Sequence, residues 1–172
     1  MVLYTRARQT EGNTPMLRMS KLADYSTVVL SALARDPQRT RTAAELALES
    51  ATPLPTVSKI LKTLLKNGLL SSVRGATGGY LLAKAPAQIS VADIILAMEG
   101  PIGLTECGSH PGICVQESTC TVRHHWDRIN DAVREALGKV SLAELAQPSR
   151  AVAPIRWIKK ERSEKKALAT AR

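Results

Sequence analysis

The chain has 172 residues, 44% of them hydrophobic but only 3% aromatic and none of them Phe. That length suits one domain of ordinary size with appendages and argues against a second full domain. A core built from Leu, Ile, Val and Ala favours helices. Net charge is +9, but residues 155–172 carry seven Lys or Arg against two Glu, which is +5, and residues 1–15 carry +1, leaving +3 for residues 16–154. The excess alone is weak evidence for nucleic acid, because a solvated basic tail produces the same sum. That tail is open to two readings, a disordered appendage and an auxiliary DNA contact.

The first residues, MVLYTRARQTEGNTP, contain no apolar run of the secretory kind, and three cysteines are too few and odd in number for a disulfide framework. The expectation is a soluble cytoplasmic protein without a spanning segment or a membrane partner. Met16, followed by LRMSKLADY, would also serve as a start, so residues 1–15 read as a flexible extension.

Residues 21–34 place Leu22, Tyr25, Val29 and Leu33 on one stripe, the spacing of an amphipathic helix, closed by Arg35-Asp36-Pro37. Thr42 and Glu45 form a capping box that opens a second helix through Glu49. A third runs as TVSKILKTLLKN and stops at Gly68, where a left-handed residue is expected. Its Val57, Leu61 and Leu64 share an inner side, while Lys59, Lys62, Thr63 and Lys66 point outward. Two short apolar runs follow, joined by Arg74-Gly-Ala-Thr-Gly-Gly79, which predicts a hairpin with a glycine-rich tip.

A row of lysines on a helix is often only a solvated face, and glycine-rich hairpin tips are common. In this order they predict a winged helix-turn-helix. The third helix would enter the major groove of double-stranded DNA, with Pro55, Thr56, Ser58 and Lys59 at base edges or phosphates and Lys62 and Lys66 on phosphates. Arg74 would lie over a backbone or in a minor groove.

Ser90 caps a fourth helix, VADIILAME, ended by Gly100-Pro101. From Thr119 the pattern is helical again. Val122, Trp126, Ile129, Val133 and Leu137 form an apolar seam that predicts a dimer helix, the alternative being that it packs on its own domain. Ser141 starts one more short turn.

Between these helices lies ECGSHPGICVQESTCTVRHH, which holds every cysteine and histidine of the chain. Cys107, Cys114 and Cys120 sit in a polar loop with nothing apolar to bury them, so a metal or cluster site is the better reading. His124, four residues after Cys120, would stack on the same helix face. A disulfide switch would leave one thiol over. The spacing also comes close to three-cysteine-one-histidine zinc fingers that bind RNA, although no aromatic residue precedes Trp126 in the segment. A zinc module binding RNA or a protein partner is therefore the alternative. No cysteine has an evident base or oxyanion site, so an enzyme is not expected, nor a small-molecule substrate.

MLRMSKLADYSTVVLSALA, PTVSKILKTLLKNGLLSSVRGATGGYLLAK, ISVADIILAMEG and three cysteines before a long helix closely resemble one family. It is that of the iron-sulfur-cluster-binding winged-helix regulators, which includes IscR and the nitric-oxide sensor NsrR. MLRMSKLADY looks most like the SUF-system iron-sulfur assembly regulator. The resemblance covers about residues 16–147. It implies a homodimer that controls transcription, often of cluster-assembly operons, and binds a 2Fe-2S or 4Fe-4S cluster, the two-iron form being favoured here. Cys107, Cys114 and Cys120 match the cluster cysteines. The histidine that some members place three residues after the last cysteine is Arg123 here, so Asp24 and His124 rank level as fourth ligand, ahead of His125 and His110.

The expected fold is mainly α with a small β-hairpin wing: a winged helix-turn-helix over 16–100, a cluster loop over 101–121, and a dimerisation helix and short turn over 119–147. A basic tail covers 148–172.

Overall fold

The computed structural model describes residues 19–147 except 76; the extension and the basic tail expected from the sequence lie outside them. Helix α1 (Lys21–Arg35) is capped by Ser20, whose Oγ accepts the Ala23 N–H at 3.2 Å. Its buried stripe runs through Ala23, Ser26, Val29, Leu30 and Leu33, while Tyr25, expected on that stripe, stands 37% exposed. Small side chains turn inward at no cost in space, and the phenol stays at the rim where its hydroxyl reaches water.

The capping box forms at α2 (Ala43–Glu49): Thr42 Oγ1 accepts the Glu45 N–H, and Glu45 Oε2 accepts the Thr42 N–H at 2.7 Å. The Thr42 backbone N–H above all, then its hydroxyl and Arg39, hold the Glu45 carboxyl below its usual range. Pro55 sits in the first turn of α3 (Leu54–Lys66), where a missing N–H costs nothing. The helix ends at Asn67, and Gly68 adopts φ +70, the left-handed exit that favours glycine.

Strands β1 (Leu70–Val73) and β2 (Gly79–Leu82) pair antiparallel, Leu70 opposite Leu82 and Val73 opposite Gly79. The α1–α2 connector adds a short third rung. Arg41 N–H donates to Tyr80 O at 3.1 Å and Tyr80 N–H to Arg41 O at 2.8 Å. The buried Arg41 guanidinium pairs with Glu49.

A 3-10 turn (Pro86–Gln88) leads to α4 (Val91–Glu99), opened by a second capping box between Ser90 and Asp93. Then come α5 (Glu106–Ser109), α6 (Arg123–Gly138) and α7 (Leu142–Ala146). The core joins Leu30 and Leu33 of α1, Leu46 of α2, Val57, Ile60, Leu61 and Leu64 of α3, Leu70, Ile89, Ile94 of α4 and Leu142 of α7. Burying each such side chain contributes about 1.5–3 kcal/mol.

Leu142 is 0% exposed, so α7 returns to the winged-helix core rather than extending the long helix. It is tied there by Leu142 N–H to Ile89 O at 2.7 Å and by Val91 N–H to Val140 O at 2.9 Å. Residues between α4 and α7 thus form an excursion anchored at both ends of one domain. No helix among the described residues is long and apolar enough to cross a membrane.

Candidate DNA-reading face and cysteine loop

On α3 the buried side is Val57, Ile60, Leu61 and Leu64, one residue wider than the sequence stripe. Pro55, Ser58, Lys59, Lys62 and Lys66 are exposed, and Thr56 and Thr63 half-buried. The Thr63 hydroxyl is turned back onto Lys59 O at 3.1 Å. Arg74 is exposed at the hairpin end, and Thr40 Oγ1 donates to Thr77 O at 3.1 Å, tying the connector to the hairpin tip. The helix and hairpin therefore offer cationic and hydroxyl groups on supports that the core holds still. The buried Arg41 was not singled out in the sequence, because nothing local marks an arginine whose partners are Glu49 and the backbone of Tyr80.

The cysteine segment is more ordered than a plain loop. Thr105 caps α5, accepting the Gly108 N–H at 3.2 Å, and α5 carries Cys107. Glu117 organises the stretch between the other two cysteines: its carboxylate accepts the Gly112 N–H at 2.6 Å and pairs with Arg123 at 2.8 Å. The three thiols are free and half-buried.

Helix α6 starts at Arg123, not Thr119, and Val122 precedes it as an N-cap without a side-chain cap bond. Threonines at 119 and 121 are poor helix formers, and Thr119 Oγ1 donates instead to Gln116 O at 3.4 Å. Cys120 therefore lies before the helix, and the expected stacking of Cys120 and His124 on one helix face is not seen. His124, His125 and His110 are exposed, as is Asp24 in the first turn of α1. Among the described residues, no three His, Cys, Asp or Glu side chains stand together in a way that would hold one ion.

Helix α6 grips the start of the loop with two side chains that sequence reasoning missed. Asn130, 1% exposed, accepts the Leu104 N–H on Oδ1 at 2.8 Å, and Arg134 donates to Ile102 O at 3.0 Å. An Asn within an apolar seam was the only signal in the sequence. Three free thiols within one loop are the donor type that thiolate-ligated iron-sulfur clusters use, although the structure does not bring them together.

The apolar seam divides. Val133 and Leu137 are half-buried and, with Ile95 and Val91 of α4 and residues 100–104, line a cavity of about 530 Å³. Val122 and Ile129 are 49% and 43% exposed.

A family model described as Rrf2, iron-dependent transcriptional regulator, matches residues 19–148. The HTH-type transcriptional regulator IscR of Photorhabdus laumondii subsp. laumondii is 34% identical over 102 residues, 59% of this chain and 62% of that protein. The match thus spans less than two thirds of such a relative's length. Among solved structures, CymR, the global cysteine regulator of B. subtilis, superposes with a TM-score of 0.62 at 30% identity, covering 76% of this chain and 96% of that one. IscR of T. potens gives 0.59 at 26% identity, covering 78% and 93%. These relatives are transcriptional regulators rather than enzymes. The winged helix, its hairpin and the family match over most of its length agree: the chain belongs to the Rrf2 family of transcriptional regulators.

Proposed function

We propose that the protein is a homodimeric DNA-binding regulator whose operator affinity follows an iron-sulfur cluster held by Cys107, Cys114 and Cys120. Asp24, donated across the dimer, or His124 would supply a fourth ligand, and cluster-assembly genes of the SUF kind would be its targets. The observation that carries this reading is position. Three free thiols lie on one excursion whose far side is α6, and α6 packs on α4, which packs on α3. Asn67 adds a direct tie, its Nδ2 donating to Thr63 O on α3 and to Ala97 O on α4 at 3.1 Å. A change in the loop therefore has a packed route to the reading helix. A bound cluster supplies a group whose loss or oxidation alters the charge and shape of that loop.

Purification without oxygen, with visible absorption, iron, sulfide and zinc measured together, tests the reading. Iron and sulfide in matching amounts support it; a colourless chain with one zinc would replace it with the zinc module. On DNA, Lys62→Ala should weaken binding evenly across sequences and lower the salt slope by about 1, whereas Thr56→Ala should relax specificity at one position. Titrations of operator and scrambled DNA at several salt concentrations distinguish the two effects.

The exposed half of the α6 seam is the proposed dimer contact. Ile129→Lys should convert a dimer to a monomer in sedimentation velocity, since an unpaired charge would be buried there. Persistence of the dimer would move the interface elsewhere.

A further inference from the structure

The hairpin leaves α3 through Gly68 and is anchored there by the buried Leu69 and Leu70. Beyond them Ser71, Ser72 and Val73 of β1 are exposed and β2 is half-buried, so little apolar burial fixes the end that carries Arg74. Its other support is the α1–α2 connector. Arg41 exchanges two backbone bonds with Tyr80, and Thr40 Oγ1 donates to Thr77 O.

Arg41 has a further attachment. Its side chain is 8% exposed, and Nη1 pairs with Glu49, the last residue of α2. One residue therefore joins β2 through its backbone to α2 through its side chain, and α2 packs on the reading helix α3. The hairpin is thus tied to the helix-turn-helix at two points, the Gly68–Leu70 corner and Arg41.

The pair is a poor device for stability alone. Its guanidinium is desolvated, and Nε is buried with no hydrogen-bond partner among the described residues. Taking charges out of water costs much of what their attraction returns, and uncharged side chains of similar volume are often as stable in such places. What an arginine supplies there is direction. Its planar guanidinium donates in fixed directions, whereas apolar contacts permit sliding.

We propose that the Arg41–Glu49 pair is a positioning device for DNA readout: it sets the angle of the hairpin, and so of Arg74, against α3. This deepens the proposed function and rests on Arg74 reaching DNA. Removing the pair should therefore cost operator affinity through Arg74 while the fold persists.

The test uses the full chain purified without oxygen and a duplex that the wild type selects from a random-sequence pool. Wild type, Arg74→Ala, the double variant Arg41→Met with Glu49→Gln, and that double variant carrying Arg74→Ala complete a cycle. Met and Gln remove the ion pair without leaving a charge buried. Glu49→Gln alone, a change at an exposed position, takes its place in the cycle if the double variant fails to fold. Affinities and hydroxyl-radical footprints are read beside the denaturant midpoint. In wild type, Arg74→Ala should weaken binding about 10-fold and erase the protection under the hairpin. Loss of the pair should do the same at an unchanged midpoint, and Arg74→Ala should then add less than about 2-fold, because the groups act as one unit. A cost of Arg74→Ala as large without the pair as with it would overturn the inference and leave the hairpin contact standing. An Arg74→Ala variant that binds and protects as wild type does would overturn the hairpin contact and the inference with it.

Discussion

Cys114→Ala is expected to abolish iron and sulfide binding completely while leaving the winged helix folded. Cys114 lies in a run of turns outside every packed element, half-buried, in a segment that contributes none of the core apolar side chains. Those come from α1 to α4, the hairpin, Ile89 and α7, so removing one sulfur atom opens no cavity in the core. Surface changes of this kind shift stability by about 0.5 kcal/mol or less. A cluster, by contrast, depends on each thiolate, and loss of one of three leaves too few ligands to hold it. Iron and sulfide analysis beside helical circular dichroism and a thermal midpoint checks both halves. Retained iron would remove Cys114 from the ligand set. Loss of the helical signal would mean that the loop supports the fold, contrary to its place outside the core.

The same contrast explains what the sequence could and could not disclose. The capping boxes at Thr42 and Ser90 involve partners three residues apart, and the left-handed Gly68 is a local demand of a helix end, so both were legible. Val57, Leu61 and Leu64 on the inward side of α3 were legible because helical spacing and lysines on the other side mark that face, whereas Ile60, also buried there, was not picked out. Tyr25 was misjudged because an apolar stripe does not say whether bulky or small residues face the neighbours. The start of α6 was misjudged because apolar spacing continued through Val122, where the threonines around Cys120 had already broken the helix.

At the candidate site the limit was distance along the chain. Asn130 acts on Leu104, 26 residues earlier, and Arg134 on Ile102, 32 earlier. No spacing rule within one helix reveals such partners. Nothing in the local sequence marks Glu117, which ties Gly112 to Arg123. The return of α7 to the core depends on pairing between Ser90 and Ser141 at the two ends of the excursion, which only the folded chain brings together.

Gly79→Ala is expected to weaken both the fold and operator binding, because at Gly79 the wing and the connector meet backbone to backbone. A Cβ at Gly79 would lie 2.6 Å from Arg41 O and 2.8 Å from Arg41 C. Neither atom can swing away as a side chain could, and Arg41 is held by its ion pair with Glu49. The collision must push β2 from the connector and stretch both bonds between Arg41 and Tyr80. Overpacking of this kind costs about 1–3 kcal/mol, and each hydrogen bond lost about 0.5–1.5 kcal/mol more. The displaced hairpin would carry Arg74 with it, so DNA affinity should fall even for the molecules that remain folded. Gly138→Ala is the control: it has nothing within 4 Å and closes α6, and should be neutral or stabilising by about 0.4–1 kcal/mol. Denaturant unfolding together with operator titration separates the two losses. If Gly79→Ala unfolds and binds as wild type does, the hairpin is not held by its bridge to Arg41, and Arg74 owes its position to the hairpin turn and the Thr40–Thr77 bond.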